Sequence, residues 1–401
     1  MPATANYQAG VETNATQISY AIETTWGVAP AVPFQAIRYT SESLAETKTR
    51  QRPSEIVNAR EATQGVTTQQ QAAGTINYAL SAQTFDDFMS VITQSDWGAT
   101  IALAGIAGDI VLTNTSGVIT LSSTLTTKFT ALVQGSWIRL LGFTNAQNND
   151  WWYIAVKTSN QLMTLTGRNS ATAVTETPAG TAAQIRSCTL RNGTTFKSVF
   201  LQQQFSSSLF LTYAGAYVSK MSVQGGIGNF MTGAIDLVAK QEVNGVTNSS
   251  TGAVVAAPTT RVMDPVNSWV AGLWNEQVFS SSVDQFVLTM ENTSAAPEFA
   301  MGSVAAVGML GGTFMASGSF RAYFKDFSQY ALFAAETSGR LSFILKDSVT
   351  GYSYAFTFLN AILLGKINAG GPGQPVYAEF DVEGGPGPNS GTLVIDRLAG
   401  V

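Results

Sequence analysis

One pattern occurs twice in this chain, and it constrains the fold more than any other feature. The first copy runs Ala73-Gly74-Thr75-Ile76-Asn77-Tyr78-Ala79-Leu80-Ser81. The second runs Ser317-Gly318-Ser319-Phe320-Arg321-Ala322-Tyr323-Phe324-Lys325. Each reads as an alternating strand with an early glycine, then a polar turn, then a helix start. In the first copy Ser81 is the expected helix N-cap. Asp86 and Asp87 fall in the opening turns, and Phe85, Phe88, Met89 and Ile92 recur at helical spacing. Phe327, Tyr330, Ala331 and Ala334 define the same face in the second. The likeness extends outward. Ser41–Thr49 pairs with Val283–Glu291. Tyr217–Val223, the turn Gly225-Gly226-Ile227-Gly228 and Phe230–Val238 pair with Ala361–Ile367, Gly370-Gly371-Pro372-Gly373 and Val376–Val382. That order, strand, loop, strand, helix and hairpin, predicts two tandem β units.

Inside the first copy, after its helix, residues 99–185 differ in character. Short strands such as Trp151-Trp152-Tyr153-Ile154-Ala155-Val156 alternate with clusters such as Thr144-Asn145-Ala146-Gln147-Asn148-Asn149-Asp150. This stretch reads as a small inserted β-barrel. The expected organisation is therefore an N-terminal arm over 1–36 and a discontinuous first unit over 37–98 and 186–242. The insert follows at 99–185, a Ser/Thr/Asn/Gly/Pro linker at 243–268 and the second unit at 269–401. The fold class is all-β, with one short helix per repeat.

Composition narrows the function. Charged residues are 12% of the 401, well under the usual ~25%, so the polar surface must be largely neutral. A surface of that kind, with 37 glycines and 12 prolines, suits strands and turns covered by further copies of the chain. Net charge is −5. The densest basic cluster, Lys48, Arg50, Arg52 and Arg60, is broken by Glu46, Glu55 and Glu61, so no phosphate-neutralising stripe is expected.

There is no histidine, which removes the commonest general base and metal ligand, and the one cysteine, Cys188, has no disulfide partner. Asp86 and Asp87 read as helix-dipole compensation. The glycine turns lack the Lys-Ser/Thr of a phosphate loop and precede strands. No enzyme, cofactor or metal site is expected. Neither a signal peptide nor the ~18 apolar residues of a membrane helix is visible.

Several segments resemble the major tail tube proteins of bacteriophages with long non-contractile tails. They are Glu23-Thr24-Thr25-Trp26-Gly27-Val28-Ala29-Pro30 with Arg38-Tyr39-Thr40-Ser41-Glu42-Ser43-Leu44, then Asn192-Gly193-Thr194-Thr195-Phe196-Lys197-Ser198-Val199, and Gly318-Ser319-Phe320 with the following helix. The resemblance implies β-sandwiches whose sheets join around a ring into one wide barrel. Rings stack into a virion tube, assembled in the host cytoplasm, through which genome DNA passes. It implies self-association into rings that present six such units, and contact with the tape measure protein and the tail terminator or distal tail proteins; with two units in this chain, a trimer of pseudo-sixfold symmetry is expected in preference to a hexamer.

On that reading, alternation assigns Gln69, Gln71, Thr75, Asn77, Gln285, Thr289, Glu291, Ser317, Ser319 and Arg321 to the lumen, opposite the expected core residues Ile76, Tyr78, Phe286, Leu288, Phe320 and Phe324. An ordinary solvated sheet face fits the same alternation. Inter-ring contacts are expected from Trp26, from the loop carrying Arg50, Arg52, Glu55 and Arg60, and from the loop carrying Glu298 and Phe299. Two other readings stay open. One is a different self-assembling protein, such as a terminator, baseplate or surface-layer subunit. The other is a carbohydrate-binding module that uses Trp137, Trp151, Trp152 and Tyr153 as its platform.

Overall fold

The computed structural model describes residues 10–56, 58, 60–178, 183–387 and 391–400. Alternating apolar residues with long free backbone edges demand pairing, and the chain answers with one extended front sheet. Eight strands build it: β1 (Ala45–Gln51), β2 (Val66–Ala79), β3 (Leu209–Gly226), β4 (Thr232–Ala239), β5 (Val283–Thr293), β6 (Thr313–Tyr323), β7 (Ser353–Asn368) and β8 (Tyr377–Gly385). Across the sheet they lie in the order β1-β2-β4-β3-β5-β6-β8-β7, every neighbour antiparallel. The first four strands and the last four therefore repeat one topology, and the two halves join where β3 pairs with β5.

Glycines mark the equivalence. A Cβ on Gly74 would stand 2.5 Å from the Ser43 carbonyl oxygen, and one on Gly318 would stand 2.5 Å from that of Val287. Both positions exclude a side chain for the same reason: the neighbouring strand backbone lies against them.

β3 and β7 are long enough to serve two layers. Their C-terminal parts belong to the front sheet, and their N-terminal parts belong to a back layer. In the first half that layer adds Val199–Ser206, Gln17–Ile22 and Gln241–Gly245. In the second it adds Gly339–Lys346, Trp269–Trp274 and Leu393–Leu398. Part of the expected N-terminal arm and part of the expected linker are thus strands.

One apolar core runs between the layers through both halves. It includes Ile76, Tyr78, Met221, Ile235, Leu288, Phe320, Phe343 and Phe380. Phe324 is only half-buried at its rim. Helix α1 (Asp86–Ile92) packs into this core, with Phe88, Met89, Val91 and Ile92 all buried. It starts later than Ser81 predicts: the residue before it is Phe85, and no side chain caps it. Ser81 instead forms a bridge with Val262, and its hydroxyl bonds that of Thr84. Helix α2 (Ser328–Ala334) packs on β7.

Seven strands, from Ile101–Ala104 to Gln184–Ser187, form a separate sheet. Its edges are Ile101–Ala104 and Ile110–Thr115, and these do not pair with each other, so the sheet is open where a small barrel is expected. An isolated bridge from Leu112 to Glu176 occupies part of one edge. The sheet encloses its own core, including Leu112, Leu121, Ile138, Trp152, Ile154 and Leu165.

Candidate assembly surfaces

The front sheet has two faces and two free edges. On the face turned from the core lie all ten residues assigned by alternation: Gln69, Gln71, Thr75, Asn77, Gln285, Thr289, Glu291, Ser317, Ser319 and Arg321. None is buried, while Ile76, Tyr78, Phe286, Leu288, Met290 and Phe320 between them are. Local bonds fix several of them. The Thr75 hydroxyl donates to Asp236 at 2.6 Å, and Asn77 Nδ2 donates to Ser41 at 2.9 Å. Arg321 grips Asp284 with two nitrogens, at 3.1 and 2.8 Å, and its guanidinium lies 4.6 Å from the Tyr377 ring centre. The Asp284 carboxylate and its hydrogen bonds hold the Arg321 pKa above the ordinary value.

Lys220 stands opposite Glu291 across the β3–β5 junction, and Lys366 bonds Glu379 at 3.1 Å. With Asp236, Asp381 and Glu383 on the same face, acidic groups outnumber basic ones, so the face is polar and mildly negative.

Among the described residues, β1 is paired only to β2, and residues 362–368 of β7 are paired only to β8, so these are the free edges. The flanking strand Gly339–Lys346 stops at the Gly339–Ala361 pair. Beyond it, β7 offers its backbone groups to a further strand.

The expected inter-ring residues divide into two groups. Arg50, near the end of β1, and Arg52, Glu55 and Arg60 on the β1–β2 loop are all exposed, and Arg50 reaches the Gly65 carbonyl at 2.7 Å. The loop with Glu298 and Phe299 forms a small hairpin, Ala296–Glu298 against Gly308–Leu310. It leans sideways onto the first half of its own chain, where Gln70 N donates to Val304 at 2.8 Å. Trp26 is also engaged at home. Its Nε1 donates to the Gly215 carbonyl at 3.3 Å, and Lys240 lies over its ring at 5.2 Å.

The insert's aromatic residues are not an open platform. Trp152 fills the insert's own core. Trp137, Trp151 and Tyr153 face the other way and pack on Ala271, Leu273, Ile344, Ala355 and Leu398 of the second half. Each indole is satisfied there: Trp137 Nε1 donates to Thr357 at 3.0 Å and Trp151 Nε1 to Ser353 at 2.9 Å. Asp396 closes the contact, accepting from Trp137 N at 2.8 Å and from the Thr189 hydroxyl at 2.6 Å. These rings are buried, which removes the carbohydrate-platform alternative. Sequence reasoning missed this interface. Its signal was Trp151-Trp152-Tyr153-Ile154, an unbroken large-apolar run in a two-faced strand, which implies burial on both sides.

Cys188 is buried, its sulfur 3.2 Å from the Gly98 carbonyl oxygen. Among the described residues no His/Cys/Asp/Glu group could hold a metal ion, and no helix is long and apolar enough to cross a membrane. No curated protein matches the chain. The family described as phage tail tube protein does, over residues 13–384, and the chain belongs to that family of virion structural proteins.

Proposed function

We propose that three copies of the chain close their front sheets into one ring, that rings stack into the tail tube, and that the polar face lines a channel for double-stranded DNA. The observation that carries this reading is the front sheet itself. It holds two equivalent four-stranded halves, and its two outer edges have no partner strand among the described residues. Pairing those edges between copies satisfies every backbone group and leaves no edge for aggregation.

Size supports three copies. Three such sheets, about 24 strands at ~4.8 Å spacing, give a perimeter of roughly 115 Å and a diameter of about 37 Å before strand tilt widens it. Two copies would give about 24 Å, which side chains would narrow below the width of a duplex.

The lining suits passage without retention. Neutral Gln, Thr, Ser and Asn with a surplus of carboxylates cannot release counterions from phosphate, so a duplex gains nothing by stopping. The insert sits on the back layer, away from this face, and so would project from the outer wall. The tape measure protein would occupy the lumen before DNA does, and the terminator and distal proteins would meet the end rings. Negative-stain microscopy of the purified protein tests the reading. It expects hollow rings or tubes, and a persistent monomer contradicts it.

A further inference from the structure

We propose that the β3–β5 junction inside the chain is the template for the contact between copies, which sets its register: Leu364 of β7 faces Thr47 of the next copy's β1, Lys366 faces Ala45, and Asn368 faces Ser43. This rests on the ring reading above and adds the pairing that ring would use.

The register follows from equivalences internal to the sheet. Asp236 stands opposite Thr75 as Asp381 stands opposite Ser319, each beside the matched glycine. Lys220 then faces Asp236 as Leu364 faces Asp381, so Lys220 corresponds to Leu364 and Ser222 to Lys366. At the other edge, Ala45 faces Ala73 as Thr289 faces Ser317, so Ala45 corresponds to Thr289 and Thr47 to Glu291. Within the chain Lys220 pairs with Glu291 and Ser222 with Thr289. Transferring those pairs to the free edges gives the stated contacts.

Three features fit that transfer. In the first half the strand Val199–Ser206 ends at the Val199–Ala216 pair, and β5 takes over β3 from Lys220. In the second, Gly339–Lys346 ends at Ala361, and the same side of β7 is then open. The phase also agrees. Ile367 and Leu44 meet on the core side, as Val223 and Leu288 do within the chain. A slip of one residue would turn one of them to the opposite face.

The helices give the third feature. α1 packs over both β3 and β5 with every residue but Asp87 buried, and its Ile92 carbonyl accepts from Asn292 Nδ2 at 3.0 Å. α2 packs chiefly on β7 and bonds the Ser280–Ser281 segment through Ser328 and Gln329, while Phe327 is 63% exposed with Leu332 and Phe333 half-buried. It looks like half of a junction. The residue corresponding to Asn292 is Lys48, which the register would bring to the last carbonyls of α2, a favourable place for a cation.

Paired cysteines test it, because residues opposite each other on antiparallel strands lie within disulfide range. Oxidised assemblies of the Leu364→Cys/Thr47→Cys chain, and separately Lys366→Cys/Ala45→Cys, should run on non-reducing gels as covalent multimers. Leu364→Cys/Glu46→Cys and Leu364→Cys/Thr49→Cys should stay monomeric. On the unaltered chain, amides of 362–368 and 45–49 should gain protection from hydrogen exchange on assembly. Tubes that link through a slipped pair, or that leave those amides unprotected, overturn the register while the ring reading stands. An unaltered chain that forms no assembly overturns both.

Discussion

Arg397 Nη1 donates to Asp86 Oδ2 at 2.7 Å, tying the last strand of the second half to the first turn of α1 in the first. The Tyr354 hydroxyl donates to the other Asp86 oxygen, and Arg397 lies 4.6 Å from the Trp97 ring centre. Burial pushes the Asp86 carboxyl up, and the bonds from Tyr354 and Arg397 pull it back. Asp86 thus clasps the two halves, a larger role than balancing a helix dipole.

Breaking that pair from one side should be costly. Arg397→Met strands a buried carboxylate and should destabilise the monomer by about 3–5 kcal/mol, whereas Asp86→Leu with Arg397→Met should recover much of the loss. Urea unfolding midpoints of the two variants check this. Equal losses would mean that packing, not the unpaired charge, dominates.

The insert should be releasable without unfolding the tube scaffold. Trp151→Ala removes a buried indole, its bond to Ser353 and the surface on which Arg139 stacks at 3.6 Å. The expected loss is about 3–5 kcal/mol, local to the interface between the insert and the second half. Limited proteolysis should then cut around the insert while β1–β8 stay resistant. Cleavage within the front sheet would contradict this placement.

The insert interface should also titrate. Burial is the main cause that pushes Asp396 up to about 7, against the opposing hydrogen bonds of Thr189 and Trp137 and the charge of Arg191. A raised carboxyl binds more protons folded than unfolded between its ordinary value near 3.8 and about 7. Its contribution therefore falls as pH rises through that window, by at most about 1.4 kcal/mol per pH unit. Asp396→Asn should flatten this part of the stability profile from pH 4 to 7, which thermal melts across that range would show. An unchanged slope would place the titration elsewhere.

The polar face should be indifferent to DNA until it is made basic. Gln69→Lys, Gln71→Lys and Gln285→Lys together should leave assembly intact and give the tubes salt-dependent affinity for duplex DNA. The log–log slope against salt should steepen by roughly 0.9 for each phosphate neutralised. Wild-type tubes should show no such binding. DNA affinity that is the same in both would place these residues away from the channel.

Most of the scaffold was legible in the sequence because the repeated strand order repeats its signals. The matched glycines 74 and 318 and the strands around them reappear at equivalent sheet positions. The alternation of Ile76, Phe286 and Phe320 with polar neighbours sorted core from solvent without a register error. What failed was decided by long-range contacts. Ser81 carries a helix-cap signature but is held in a bridge to Val262, and the helix starts only after Phe85. The open edges of the insert depend on pairings that local periodicity does not encode. The role of Trp137, Trp151 and Tyr153 depends on residues more than a hundred positions away.

Electron cryomicroscopy of the purified chain's assemblies tests the central claim most directly. The account predicts a ring of three subunits with an inner wall of six near-identical four-stranded units, in which β7 of each copy continues into β1 of the next and the inserts stand outside. A wall in which either edge faces solvent, or in which the Gln69 and Gln285 face is turned outward, would contradict it.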